Sequence, residues 1–64
     1  METLNSFTKK EYTVLLIKVD TPILGGSYIV ELSKNDEIIR EKIGLCLGAA
    51  NEYFVKTANQ LNQI

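Results

Sequence analysis

Apolar and polar positions alternate through the middle of this chain, and the period changes near its end. The run Tyr12-Thr13-Val14-Leu15-Leu16-Ile17-Lys18-Val19 is dense in β-branched and aromatic residues. Such residues fit a pleated, buried surface and predict a first strand over Glu11 to Asp20. Pro22 has no backbone donor, so Thr21-Pro22 is expected to take the chain out of the ladder. Gly25-Gly26 then supplies a turn. Ser27 to Ser33 alternates again, with Tyr28, Val30 and Leu32 on one face. Ser27, Glu31 and Ser33 take the other, and Ile29 is the exception among them. Lys34-Asn35-Asp36-Glu37 reads as a hairpin turn, because Asn and Asp tolerate positive φ. Ile38 to Leu45 predicts a third strand. Ile39, Ile43 and Leu45 would share one face, and Ile38, Arg40 and Lys42 the other, turned to water.

From Leu47 onward Ala50, Phe54, Thr57, Ala58, Leu61 and Ile64 recur at three- and four-residue steps. That spacing predicts an amphipathic helix of about four turns. Gly48 is the best available N-cap, and Glu52 suits the positive end of the helix dipole. Met1 to Lys10 holds only two isolated large apolar residues, Leu4 and Phe7. It reads as a tail, or as an arm docked through those two side chains. The expectation is therefore an α+β domain over residues 11–64, preceded by an arm over 1–10. Its architecture would be β-β-β-α, a small three-stranded antiparallel sheet followed by one C-terminal helix.

A sheet covered by a single helix has one buried face and one wet face, and the first strand does not obey this rule. Tyr12, Val14 and Leu16 fall on one side; Leu15, Ile17 and Val19, with Thr13, fall on the other. Whichever set meets the helix, three large apolar side chains remain on the far side. Patches of that kind mark interaction sites. Leu15, Ile17, Val19 and Ile29 are the expected interface. Val14 and Leu16 would join Tyr28, Val30, Ile39, Ile43, Phe54, Ala58 and Leu61 in the core. Register is not fixed by sequence, so the two strand-one sets could be exchanged. Two other arrangements would hide the patch: the arm folded back through Leu4 and Phe7, or Ile23 and Leu24 acting as a lid.

Size sharpens the same point. Sixty-four residues make one domain. Below roughly 70–80 residues a core usually needs a disulfide, a metal or an oligomer to support it. A single cysteine, Cys46, forms no internal disulfide, and without histidine a zinc site would have to use Cys46 with carboxylates. Oligomerisation is left, so a second copy or another protein is the expected partner, with no metal and no cofactor. Seven basic and eight acidic residues leave a net charge of -1, which gives no general pull toward nucleic acid or an anionic membrane. Lys18 or Arg40 with Lys42 is the one basic cluster, and it makes a nucleic-acid-binding regulator the alternative. Met1 to Glu11 has no signal-peptide core, no apolar run is long enough to span a bilayer, and a lone thiol fits a reducing compartment. A cytoplasmic location is expected.

Catalytic chemistry finds little support. Without histidine there is no Ser-His or Cys-His pair. Cys46, between two leucines, reads as a small buried hydrophobe. Asp20, Glu31, Asp36, Glu37 and Glu41 are scattered, and Gly25-Gly26-Ser27 lacks the helix and lysine of a phosphate loop. The expected role is a non-enzymatic interaction or regulatory module. Strands followed by a terminal helix resemble the sheet half of double-stranded-RNA-binding domains. Those domains begin the final helix with lysines, where this chain reads Leu47-Gly48-Ala49-Ala50-Asn51. Tyr12-Thr13-Val14 followed by Gly26-Ser27-Tyr28-Ile29-Val30 is similar to the partial RNase-H-like domain of HicB antitoxins, without their Pro-Gly-Cys segment. Neither resemblance carries an activity or a site onto these residues.

Overall fold

Tight turns at Lys10-Glu11, at Gly25 and at Asn35-Asp36 set the topology. In the computed structural model the elements run β1 (Glu2–Lys9), β2 (Tyr12–Ile23), β3 (Gly26–Lys34), β4 (Glu37–Leu45) and α1 (Leu47–Leu61). The structure describes the backbone of residues 1–23 and 25–64, and the side chains of 1–21 and 25–64. The strands form one antiparallel sheet in the order β1-β2-β3-β4. Lys10 (φ 55°), Gly25 (φ 86°), Asn35 (φ 52°) and Asp36 (φ 68°) adopt the left-handed backbone that closes such hairpins. The Asn35-Asp36 turn falls where the sequence places it, closed by the Lys34 and Glu37 pair.

The sheet has four strands, not three. The segment expected to be an arm is β1, paired with β2 from Glu2 opposite Lys18 to Lys9 opposite Tyr12. Its side chains are mostly exposed, so its pattern resembles a tail. Its backbone ladder supplies the cohesion, and Phe7 packs on the core. Pro22 does not end β2, which continues to Ile23. Instead the register shifts between Lys18 and Ile23, as a residue with no N–H to donate permits. The lid expected of Ile23 and Leu24 lies outside the residues whose side chains are described.

Helix α1 covers β2 and β3. Opposite Val14 stands Leu32, and opposite Leu16 stands Val30. These four meet Ala50, Phe54 and Leu61 in a dry core, with Phe7, Tyr12, Tyr28, Leu45, Tyr53 and Ala58 packed around it. Val14 and Ala50 are wholly buried. The register thus fixes which strand-one set faces the helix: the even-numbered one. Two residues expected in the core are not there. Ile39 and Ile43 are 52% and 39% exposed. The cause is Gly44, whose φ of 73° lets a bulge into β4. Lys42 opposes Val30 while Leu45 opposes Tyr28, so an extra residue of β4 is spent between them. Alternation counted through Ile39, Ile43 and Leu45 therefore breaks at Gly44. Leu45 faces the helix, whereas Ile43 faces away from it.

Where β3 begins it crosses the end of β4 so closely that a Cβ on buried Gly26 would overlap the backbone of Gly44 and the carbonyl of Leu45. Helix α1 starts at an N-cap, Cys46, which is extended and gives no side-chain bond; its carbonyl accepts from the Ala50 N–H at 2.9 Å. Cys46 is exposed, not the buried hydrophobe expected. The capping position turns its side chain off the helix and out of the core.

Two substitutions on α1 test this packing. Phe54→Ala should cost about 3–5 kcal/mol, a large share of the stability of any domain this size. Val55→Ala, at an exposed position one residue on, should stay within about 0.5 kcal/mol of the parent. Urea denaturation followed by circular dichroism reads both, and equal losses would contradict the assigned face.

Candidate functional site

The face of the sheet turned away from α1 collects the odd-numbered residues of β2. Ile17 stands opposite Ile29, Leu15 opposite Glu31 and Thr13 opposite Ser33. Alternation from Ile17 adds Val19. The four expected interface residues, Leu15, Ile17, Val19 and Ile29, thus share one face. No helix or strand lies over them among the described residues. Ile17 and Ile29 are nevertheless nearly buried, at 5% and 8% exposed, and belong to no part of the helix-side core. Leu15 and Val19 beside them are half-buried. The exposed apolar surface of this face lies on β4, at Ile38, which the sequence allows as an addition to the patch, and at Ile39 and Ile43, which were expected in the core. The signal that could have found them was Gly44: a glycine within an apolar strand is where a bulge resets alternation.

The same face divides along its length. At one end it is polar: Thr8 and Thr13 hydroxyls lie 3.1 Å apart, and the Ser33 hydroxyl donates to the Thr13 carbonyl at 3.4 Å. At the other end Ile17, Ile29 and Ile43 gather. Between them Glu31 stands directly opposite Glu41. Burial, then a hydrogen bond with Glu41 and repulsion from its charge, hold the Glu31 carboxyl above its usual range. These are the charged residues that alternation places on this face of β2, β3 and β4, and no lysine or arginine is among them.

The cations lie on the other side. Arg40 opposes Leu32 and Lys42 opposes Val30, both helix-facing residues, so β4 carries the two cations beside α1. Lys18 does not join them. It sits on β2 between Glu2 of β1 and Tyr28 of β3, with β3 separating it from β4. The expected basic trio is therefore split. Tyr53 of α1 takes the remaining pair instead: the Arg40 guanidinium is 6.0 Å and the Lys42 ammonium 5.9 Å from its ring centre. Two clefts border this ring. One, of about 170 Å³, is lined by Arg40, Tyr53, Lys56, Thr57 and Gln60. The other, of about 410 Å³, is lined by Lys42, Leu45, Ala49, Glu52, Tyr53 and Lys56.

No group of three or more Cys, Asp or Glu residues converges as a metal site among the described residues. Among them, too, no helix is long and apolar enough to cross a membrane. No protein-family model matches the chain, and comparisons with characterised proteins and with solved structures found no match either.

The carboxylate pair has a measurable consequence. Because the folded state raises the Glu31 pKa, folding is disfavoured above the carboxylate range and relieved as pH falls through it. Like charges directly opposite cost roughly 0.2–1 kcal/mol. Glu31→Gln should therefore stabilise the fold by about that much at pH 7. The gain should vanish near pH 4. Denaturation midpoints of both proteins at the two pH values check this, and a variant less stable than its parent at pH 7 would contradict it.

Proposed function

We propose that this protein is a small non-enzymatic interaction module whose contact surface is the sheet face turned away from α1, and that it pairs with a second copy of itself through that face. One observation carries the reading: the apolar pair Ile17 and Ile29, flanked by Leu15, Val19 and exposed Ile43, has no element over it among the described residues, and exposed Ile38 and Ile39 lie farther along the same face, beyond the Glu31 and Glu41 pair. Ile38, Ile39 and Ile43 are already about half-buried, so covering what remains would contribute about 2–4 kcal/mol per copy in all, at about 1.5–3 kcal/mol for each fully buried isoleucine. That is a useful increment for so small a core.

Face packing is favoured over edge pairing. Both outer strands carry β-bulges, β1 between Thr3 and Asn5 and β4 at two places. Both also carry charges, including Glu2, Lys9, Arg40 and Lys42. Bulges and edge charges are the devices that discourage strand addition. Two sheets stacked at about -30° around a twofold axis near Ile17 and Ile29 would bring the Glu31 and Glu41 pairs, which divide this face, toward the partner sheet. With no cation on the face to neutralise them, these carboxylates oppose pairing at neutral pH and cease to do so when protonated.

Light scattering tests the reading. At high micromolar concentration the solution mass should correspond to a dimer, tighter at pH 5 than at pH 8. The Leu15→Thr, Ile29→Thr double variant, which keeps β-forming residues in the strands, should return to monomer at both. A strictly monomeric parent at every pH would overturn self-association and direct attention to a different protein as the partner.

A further inference from the structure

The helix-side clefts point to something the sheet-face reading does not use. Arg40, Lys42 and Lys56 surround Tyr53, and none of the three is in an ion pair among the described residues; the ion pairs join Met1 to Asp20 and Lys34 to Glu11. Glu52 is the one carboxylate lining either cleft. Three cations against one carboxylate leave local positive charge on a chain whose net charge is -1. Like charges held around one ring repel each other, and a bound anion removes that cost.

The two clefts also differ in chemistry. The smaller is polar, with Arg40, Lys56 and Gln60 offering N–H donors. The larger has Leu45 and Ala49 on its wall, the Tyr53 ring at its edge and the Glu52 carboxylate as an acceptor. Its volume of about 410 Å³ falls within the usual range for small-molecule sites, roughly 300–1,000 Å³. The clefts share Tyr53 and Lys56 and so lie side by side on one surface.

We propose that the Arg40–Lys42–Lys56 cluster around Tyr53 is a binding site for a nucleotide unit, with the phosphate in the polar cleft and the base in the larger one. Arg40 and Lys56 take the phosphate oxygens. Lys42 closes the anionic side from β4. The base lies against Leu45, Ala49 and the edge of Tyr53, where Glu52 accepts from an exocyclic amino group. A free mononucleotide and one residue of a single strand present the same chemistry. A single strand would add charge along the backbone and bind more tightly at low salt.

The experiment is a titration of the ¹⁵N-labelled protein, followed by amide shifts, with inorganic phosphate, AMP, UMP and a mixed-sequence DNA single strand of twelve nucleotides. AMP should move the amides of Ala49, Tyr53 and Gln60 and bind at least fivefold more tightly than inorganic phosphate. Arg40→Gln and Lys56→Gln should each weaken AMP several-fold. Tyr53→Leu should weaken AMP while leaving phosphate within twofold. Lys18→Gln, on the far side of β3, should change nothing beyond twofold. Circular dichroism verifies that each variant is folded, and Lys56→Gln, on the solvent side of α1, keeps the test open if Tyr53→Leu fails to fold. Tighter binding of the single strand than of AMP assigns the source as nucleic acid; equal binding per site assigns a free nucleotide. AMP no better than phosphate, shifts away from Tyr53, or an equal loss in Lys18→Gln would each overturn the proposal. Because none of these residues lies on the opposite sheet face, dimer mass in the same samples reports separately on self-association.

Discussion

The width of one helix governs this molecule. A helix with its side chains is about 10 Å across. A four-stranded sheet measures roughly 14 Å between its outer strands at about 4.8 Å per step. Helix α1 therefore covers β2 and β3 and little more. Every other feature follows from that mismatch. The core is a narrow strip in which Val14, Leu16, Val30 and Leu32 meet Ala50, Phe54 and Leu61. The helix-side margin over β4 stays open and holds Arg40 and Lys42, and the whole opposite face lacks a second layer among the described residues.

The two uncovered regions have opposite characters. The face away from α1 is apolar at one end, hydroxyl-rich at the other and marked by the Glu31 and Glu41 pair. The margin beside α1 is cationic and aromatic. On β4 the bulge at Gly44 puts Arg40 and Lys42 on the helix side and Glu41 on the other. Leu45 beyond the bulge and Arg40 and Lys42 before it thus face α1 despite their opposite parity. Net charge was therefore a poor guide to what either surface would attract.

Much of this was legible in the chain. The density of β-branched residues from Tyr12 to Val19 marked β2, the Asn35-Asp36 turn marked the β3–β4 hairpin, and the three- and four-residue period marked α1. The alternation of β2 and β3 put Leu15, Ile17 and Ile29 on one face, as the pairing has them. Strand β1 was illegible because it is held by backbone pairing, and hydrogen bonds to β2 leave no mark on a pattern of polar side chains. The faces of β4 were misread because a period-two count has no way to register a bulge until the glycine that permits it is recognised. The basic trio was misjudged for a different reason: Lys18 and Lys42 look equivalent in sequence, but β3 lies between their strands.

The central claim is that, among the described residues, the sheet is covered on one face only. Methyl relaxation by a soluble paramagnetic probe, measured on dilute protein, tests it most directly. The account predicts strong relaxation of the Ile38, Ile39 and Ile43 methyls and appreciable relaxation of Leu15, while Val14 and Val30 stay protected. Equal protection of all six in the dilute monomer would mean that a second layer already covers the face, and would contradict it.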